Sequence, residues 1–232
     1  MGLSLVHSRA LLGLQARPVC VEVHLANGLP GFTLVGLADT EVKEARERVR
    51  SAIANAGLEF PGNRRITVNL APADLPKEGG RYDLAIALAI LAASGQLPVL
   101  ALADCELLGE LALTGELKAV DGVLPAALAA ARDGRPLVVP AGNGAEAALA
   151  SGGQARVART LLEVCAHLRG EAVHGDAELT GFWLEAELDL VAAGVERDLA
   201  LGAGAAHQDG DAAEHGRVAD ARRGDRGVGG CG

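Results

Sequence analysis

The segment Ile66 to Leu91, ITVNLAPADLPKEGGRYDLAIALAIL, sets Asp74, Lys77, Glu78, Arg81 and Asp83 in a loop between two apolar stretches. Lys77 and Arg81 could hold a phosphate, with Asp74, Glu78 or Asp83 as metal ligand or base. Gly79 and Gly80 would let a ligand approach the backbone closely. The same residues fit a purely structural loop. In that case Asp83 caps the following helix, Arg81 pairs with a loop carboxylate, and the glycines only turn the chain. A second group, Lys43, Arg46, Arg48 and Arg50, lies just upstream. Lys43, Arg46 and Arg50 share one side of a helix and could meet nucleic acid or an acidic partner. Glu44 and Arg48 at i, i+4, with Glu47 near Arg50 or Lys43, equally describe a solvated face.

These groups need a frame. Val19, Val21, Val23 and Leu25 alternate with polar neighbours and predict a half-buried strand. Asn27-Gly28 predicts a turn that returns Phe32 to Leu37 as a second strand. Thr40 to Ala56 has a helical apolar stripe, with Asp39 or Thr40 as N-cap and Gly57 as stop. Ile66 to Leu70 predicts a strand, and Leu84 to Ala93 a helix buried nearly all round. A hairpin is expected from Glu106 to Leu111 and Glu116 to Ala119, around Thr114-Gly115. A helix over Val123 to Arg132 tolerates Pro125 in its first turn. Leu137 to Val139 and Ala155 to Ala158 predict strands, with a short helix, Gly144 to Ala150, between them. The last helix opens on a capping box, Thr160 to Glu163, and runs to Leu168. The pattern predicts an α+β (α/β two-layer) domain over residues 1–170, with a linker or weak helix over 171–202. Residues 203–232 contain no Leu, Ile, Met or aromatic side chain and are expected to be disordered.

Composition removes several function classes. The net charge of −9 argues against coating nucleic acid by bulk charge, though not against a local basic face. Cys20, Cys105, Cys165 and Cys231 are too scattered for a zinc site, and Cys20 and Cys165 are expected to be core thiols. No metal site is expected. The sequence contains no GxxxxGK[ST], no GxGxxG after a strand, no GxSxG and no HExxH. No apolar run is long enough to span a membrane, and no secretory signal is expected, so the expected location is the cytoplasm.

Four segments in order resemble one family: LSLVHSRALLGLQA, GLPGFTLVGLADTEVKEARERVRSAI, ITVNLAPADLPKEGGRYDLAIALAILAASG and LLGELALTGELKAVDGVLPAALAA. They are similar to the N-terminal domain of the ComM/YifB proteins, AAA+ ATPases related to the magnesium chelatase I subunit. The resemblance covers Leu3 to Gly170. It implies a ribosomal protein S5 domain 2-like fold, as in the Lon protease and RadA C-terminal domains. It also implies a parent protein that works as a hexameric ring with ATP and Mg and drives DNA branch migration in natural transformation.

Two departures bear on function. Where the Lon-type fold carries a nucleophilic Ser and a Lys, this sequence has Arg81 and Leu124, which cannot form such a pair. Peptidase activity is therefore not expected. The Walker A loop of the family's AAA+ module does not appear either, so this chain should need no cofactor of its own. A truncated or frameshifted family member, its tail translated out of frame from a GC-rich gene, is the expectation that follows. The expected role is a non-catalytic regulatory or assembly domain. Arg46, Arg50, Lys77 and Arg81 are its candidate contacts to DNA or neighbouring subunits, and Asp74, Glu78, Gly79, Gly80 and Asp83 form a structural loop. The alternative is a stand-alone interaction module or a nonfunctional fragment.

Overall fold

The computed structural model describes residues 2–151 and 155–171. Contacts divide the chain into two units, Met1–Leu188 and Asp189–Gly232, and every described residue belongs to the first. The expectations for 203–232, and for 171–202 beyond Glu171, lie outside the described residues.

The chain begins with a long hairpin, β1 (Gly2–Leu12) and β2 (Gln15–Ala26), paired antiparallel from Gly2 with Leu25 to Leu12 with Gln15. Strand β3 (Gly31–Val35) leads into helix α1 (Thr40–Asn55), and β4 (Arg65–Ala71) follows. A 3-10 turn over Gly80–Tyr82 opens helix α2 (Asp83–Ala93). Short strands β5 (Glu106–Leu107), β6 (Glu110–Leu111) and β7 (Leu117–Lys118) come next, then helix α3 (Val123–Arg132). Strand β8 (Leu137–Pro140), helix α4 (Gly144–Ser151), strand β9 (Ala155–Ala158) and helix α5 (Leu161–Leu168) complete the domain.

Seven strands form one mixed sheet in the order β3-β4-β2-β1-β5-β8-β9, and β6 and β7 pair separately. This is the expected α/β two-layer class. The expected return of β3 onto β2 does not occur. β3 pairs in parallel with β4, which lies between it and β2. The physical reason is the helix that follows β3: a strand, a helix and a parallel strand make a crossover unit, and β4 takes the free edge of β2. The hairpin expected near Thr114-Gly115 is also smaller than anticipated. Only β6 and β7 form it, while β5 joins the large sheet beside β1.

Alternation along the strands divides the core. Val6, Val21, Val23, Val68 and Leu70 face α1 and α2, whose buried residues include Val49, Ile53 and the whole run Leu84 to Leu91. Along β8, Val138 joins this core while Leu137 and Val139 point into a second cluster with Val123, Ala126, Ala127 and Ala147. Helices α3 and α4 therefore cover the reverse face beside β8 and β9. The reverse face of the first four strands keeps Leu3 and Leu5 exposed. Cys20 is half-buried at the β2 position paired with His7, so it is not the core thiol expected from its apolar neighbours. Cys165 is buried as expected.

The passage from β3 to α1 is tight. Gly36 has φ +109°, and a Cβ there would lie 2.2 Å from the Leu70 carbonyl oxygen. Gly36→Ala should lower the unfolding free energy by about 2 kcal/mol, because both the backbone angle and the close approach resist a side chain. A urea midpoint equal to that of the parent chain would show that the turn relaxes freely.

A candidate contact loop and its cleft

Asp39 organises the entrance to the site. It is the N-cap of α1: its Oδ1 accepts from Val42 N at 2.7 Å, and its Oδ2 accepts from Gly79 N at 3.3 Å. Backbone bonds tie the same two segments together, with Lys77 N donating to Leu37 O and Asp39 N to Lys77 O. The loop is thereby fixed to the start of α1 on both sides of Lys77.

Lys77 and Arg81 are not surface groups. Lys77 is 0% exposed and its Nζ donates to the Pro72 carbonyl, inside its own loop. Burial lowers its pKa, opposed by the field of Asp74. Arg81 is 7% exposed and its Nη2 donates to the Asp121 main-chain carbonyl at 2.5 Å, not to a loop carboxylate. Burial lowers its pKa too, against the fields of Tyr82, Asp121 and Glu78. A phosphate in solvent cannot reach a fully buried ammonium, so the four candidate cations do not form one face. Arg46 and Arg50 are exposed on α1, with Arg46 Nε 3.4 Å from Glu47. Asp74 and Glu78 are exposed.

Asp83 is not the cap of α2. It is the first helical residue, and Tyr82 holds the N-cap position without a side-chain bond. Its carboxylate is 1% exposed and takes a two-pronged bond from Arg48, Nε to Oδ2 at 2.6 Å and Nη2 to Oδ1 at 3.1 Å. Leu111 N adds a third bond at 3.2 Å, so one carboxylate joins α1, α2 and β6. Burial pushes the Asp83 pKa up to about 6, although Arg48 and Leu111 N pull it down.

The loop walls a cleft of about 520 Å³, which Glu110, Asp121 and Leu11 close on the other side. The positions compared with a Ser-Lys pair hold Arg81 and Leu124. Leu124 offers only its backbone N–H, which Glu146 Oε1 accepts at 2.8 Å. Among the described residues, no three His, Cys, Asp or Glu side chains are grouped to hold a metal ion. No described helix is long and apolar enough to cross a membrane.

Residues 21–143, more than half of the chain, match the family model described as subunit ChlI of Mg-chelatase. Over 171 residues the chain is 57% identical to the YifB protein of Salmonella typhimurium, an alignment covering 74% of this chain and 34% of that protein. It is 56% identical over 171 residues to competence protein ComM of Haemophilus influenzae, covering 74% of this chain and 33% of ComM. The chain belongs to the ChlI-like YifB/ComM family. A Mycobacterium bovis relative is 47% identical over 171 residues, 73% of this chain and 34% of its own. This family member spans about a third of the length of the curated relatives it matches.

Two polar centres of this YifB/ComM relative were not anticipated from sequence. One is the Arg48–Asp83 pair. The other is Arg9, 2% exposed, which binds Glu106 through Nε at 2.5 Å and Nη2 at 2.8 Å, and Asp133 through Nη2 at 2.5 Å. Burial works against the Arg9 charge, but the bonds from Glu106 and Asp133 outweigh it and raise its pKa.

Proposed function

We propose that this chain is a non-catalytic regulatory or assembly domain of a ComM/YifB-like, magnesium chelatase-related ATPase. The observation that carries the reading is the extent of the match: it covers most of this chain but only about a third of each relative. The chain has no P-loop sequence, so in this reading ATP and Mg act elsewhere in the family architecture, in a module that drives DNA branch migration. The cytoplasm is the compartment in which that work would occur. Partners would be DNA or neighbouring subunits of a ring. Burial of Lys77 and Arg81 leaves Arg46 and Arg50 as the exposed members of the four, and in this reading they would make the contact.

If α1 touches DNA, each arginine neutralises about one phosphate. Arg46→Ala and Arg50→Ala should then weaken binding to a duplex and each reduce the salt dependence by about one counterion. Fluorescence anisotropy with a labelled duplex at several salt concentrations measures both. Binding and salt slope unchanged in the double variant would remove DNA from the role of α1 and leave subunit assembly. ATP turnover by this chain alone would sink the non-catalytic reading itself.

A further inference from the structure

The sheet order leaves β3 at an edge: β4 lies on one side, and among the described residues no strand pairs with the other. Gly31 N donates to Arg64 O, which turns the peptide groups of Gly31, Thr33 and Val35 toward β4. Peptide groups alternate between the two edges of a strand, so the N–H and C=O of Phe32 and Leu34 point to the open side. Native sheets commonly guard such an edge with a charge or a proline in the strand. The opposite edge strand, β9, carries Arg156, whereas β3, GFTLV, carries neither device.

Helix α1 adds charge to this edge. Arg48 reaches Asp83 at the start of α2, which packs on β1 and β2. Arg46 and Arg50 lie two positions either side of Arg48 and about 160° round the helix from it. They therefore occupy the flank of α1 away from α2, and the sheet order puts β3 on that side. Both are exposed, and the Arg46–Glu47 pair is a surface contact weak enough to exchange. The two arginines stand about 6 Å apart along the helix axis, and alternate residues of a strand are about 7 Å apart. An extended chain laid on β3 would set every second side chain under this pair and the intervening ones beside exposed Val35. A DNA duplex offers phosphates to the arginines but no matching row of donors and acceptors for Phe32 and Leu34. Building on the contact role of these arginines, we propose that an acidic, extended segment of a partner protein adds to the open edge of β3. Its carboxylates, at alternate positions, pair with Arg46 and Arg50.

The test is an amide NMR titration of the full chain with a short capped peptide that alternates Glu with Val. The peptide should give saturable shifts at Phe32 and Leu34. Replacing its Glu residues by Gln, or N-methylating its edge-facing amides, should weaken binding about tenfold or more. Arg46→Ala with Arg50→Ala, both exposed and so compatible with folding, should weaken the Glu peptide about tenfold and leave the Gln peptide unchanged. Absence of saturable shifts at β3 overturns the proposal. If a labelled duplex then still binds through Arg46 and Arg50, their contact role stands and belongs to DNA. An N-methylated peptide that binds as tightly as the parent peptide, or a double variant that binds the Glu peptide like the parent chain, also overturns it. So do concentration-dependent shifts at β3 without peptide, which would give the edge to a second copy of this chain.

Discussion

Arg9→Met lowers the unfolding free energy by about 4 kcal/mol, and a second change, Glu106→Leu, restores most of the loss. Both partners are 2% exposed, so removing the guanidinium strands a carboxylate between β1 and β5. Breaking one side of such a pair is expensive because the remaining charge has neither water nor counterion. Replacing both by apolar side chains removes that charge and keeps the space filled. Asp133, the third member, is 54% exposed and returns to water when Arg9 is lost. Urea denaturation of both single variants and the double measures the coupling. A double variant as unstable as the sum of the singles would show that the pair holds the sheet together through its geometry, not merely through its own charges.

This pair also shows where the sequence stops being informative. Arg9 and Glu106 are 97 positions apart, and nothing local to either marks the other. The helices were legible because their apolar spacing and caps are local: Asp39 caps α1, and Thr160 with Glu163 forms the capping box of α5. Strand β1 was not legible because its alternation is inverted. Ser4, Val6, Ser8 and Ala10 face inward while Leu3 and Leu5 face out. The Ala-rich α2 comes close enough for Ser4 Oγ to donate to Ala89 O at 2.6 Å, so small residues are needed on the buried side. The loop was legible as a charged link between β4 and α2 but not in its burial. Charged side chains are expected in solvent, and only the fold brings the Pro72 and Asp121 carbonyls to Lys77 and Arg81. Likewise, the i, i+4 spacing pointed Arg48 at Glu44, which contributes to its field, but the bond to Asp83 does more than any other group to raise its pKa.

Arg48→Ala should therefore cost about 3 kcal/mol at pH 7.5, and clearly less at pH 5. The sign follows from Asp83. Its folded pKa of about 6 stands above the ordinary 3.8, so the folded state holds a proton that the unfolded state releases across that interval. The contribution of this group to stability is full below about pH 4 and is lost as pH rises through about 6. Arg48 limits the loss at neutral pH by stabilising the carboxylate that remains in the interior. Without it the Asp83 pKa rises further, and the penalty grows where the group must ionise. Asp133 opposes this trend in the parent chain, because its bond to Arg9 holds its pKa below the usual carboxylate value and favours stability at higher pH. The comparison of variant with parent at each pH removes that background. Asp83→Asn supplies the control: it cannot ionise, so its stability should vary less between pH 4 and 7. Equal destabilisation by Arg48→Ala at both pH values would mean that Arg48 acts by packing α1 against α2 and not by holding the Asp83 charge.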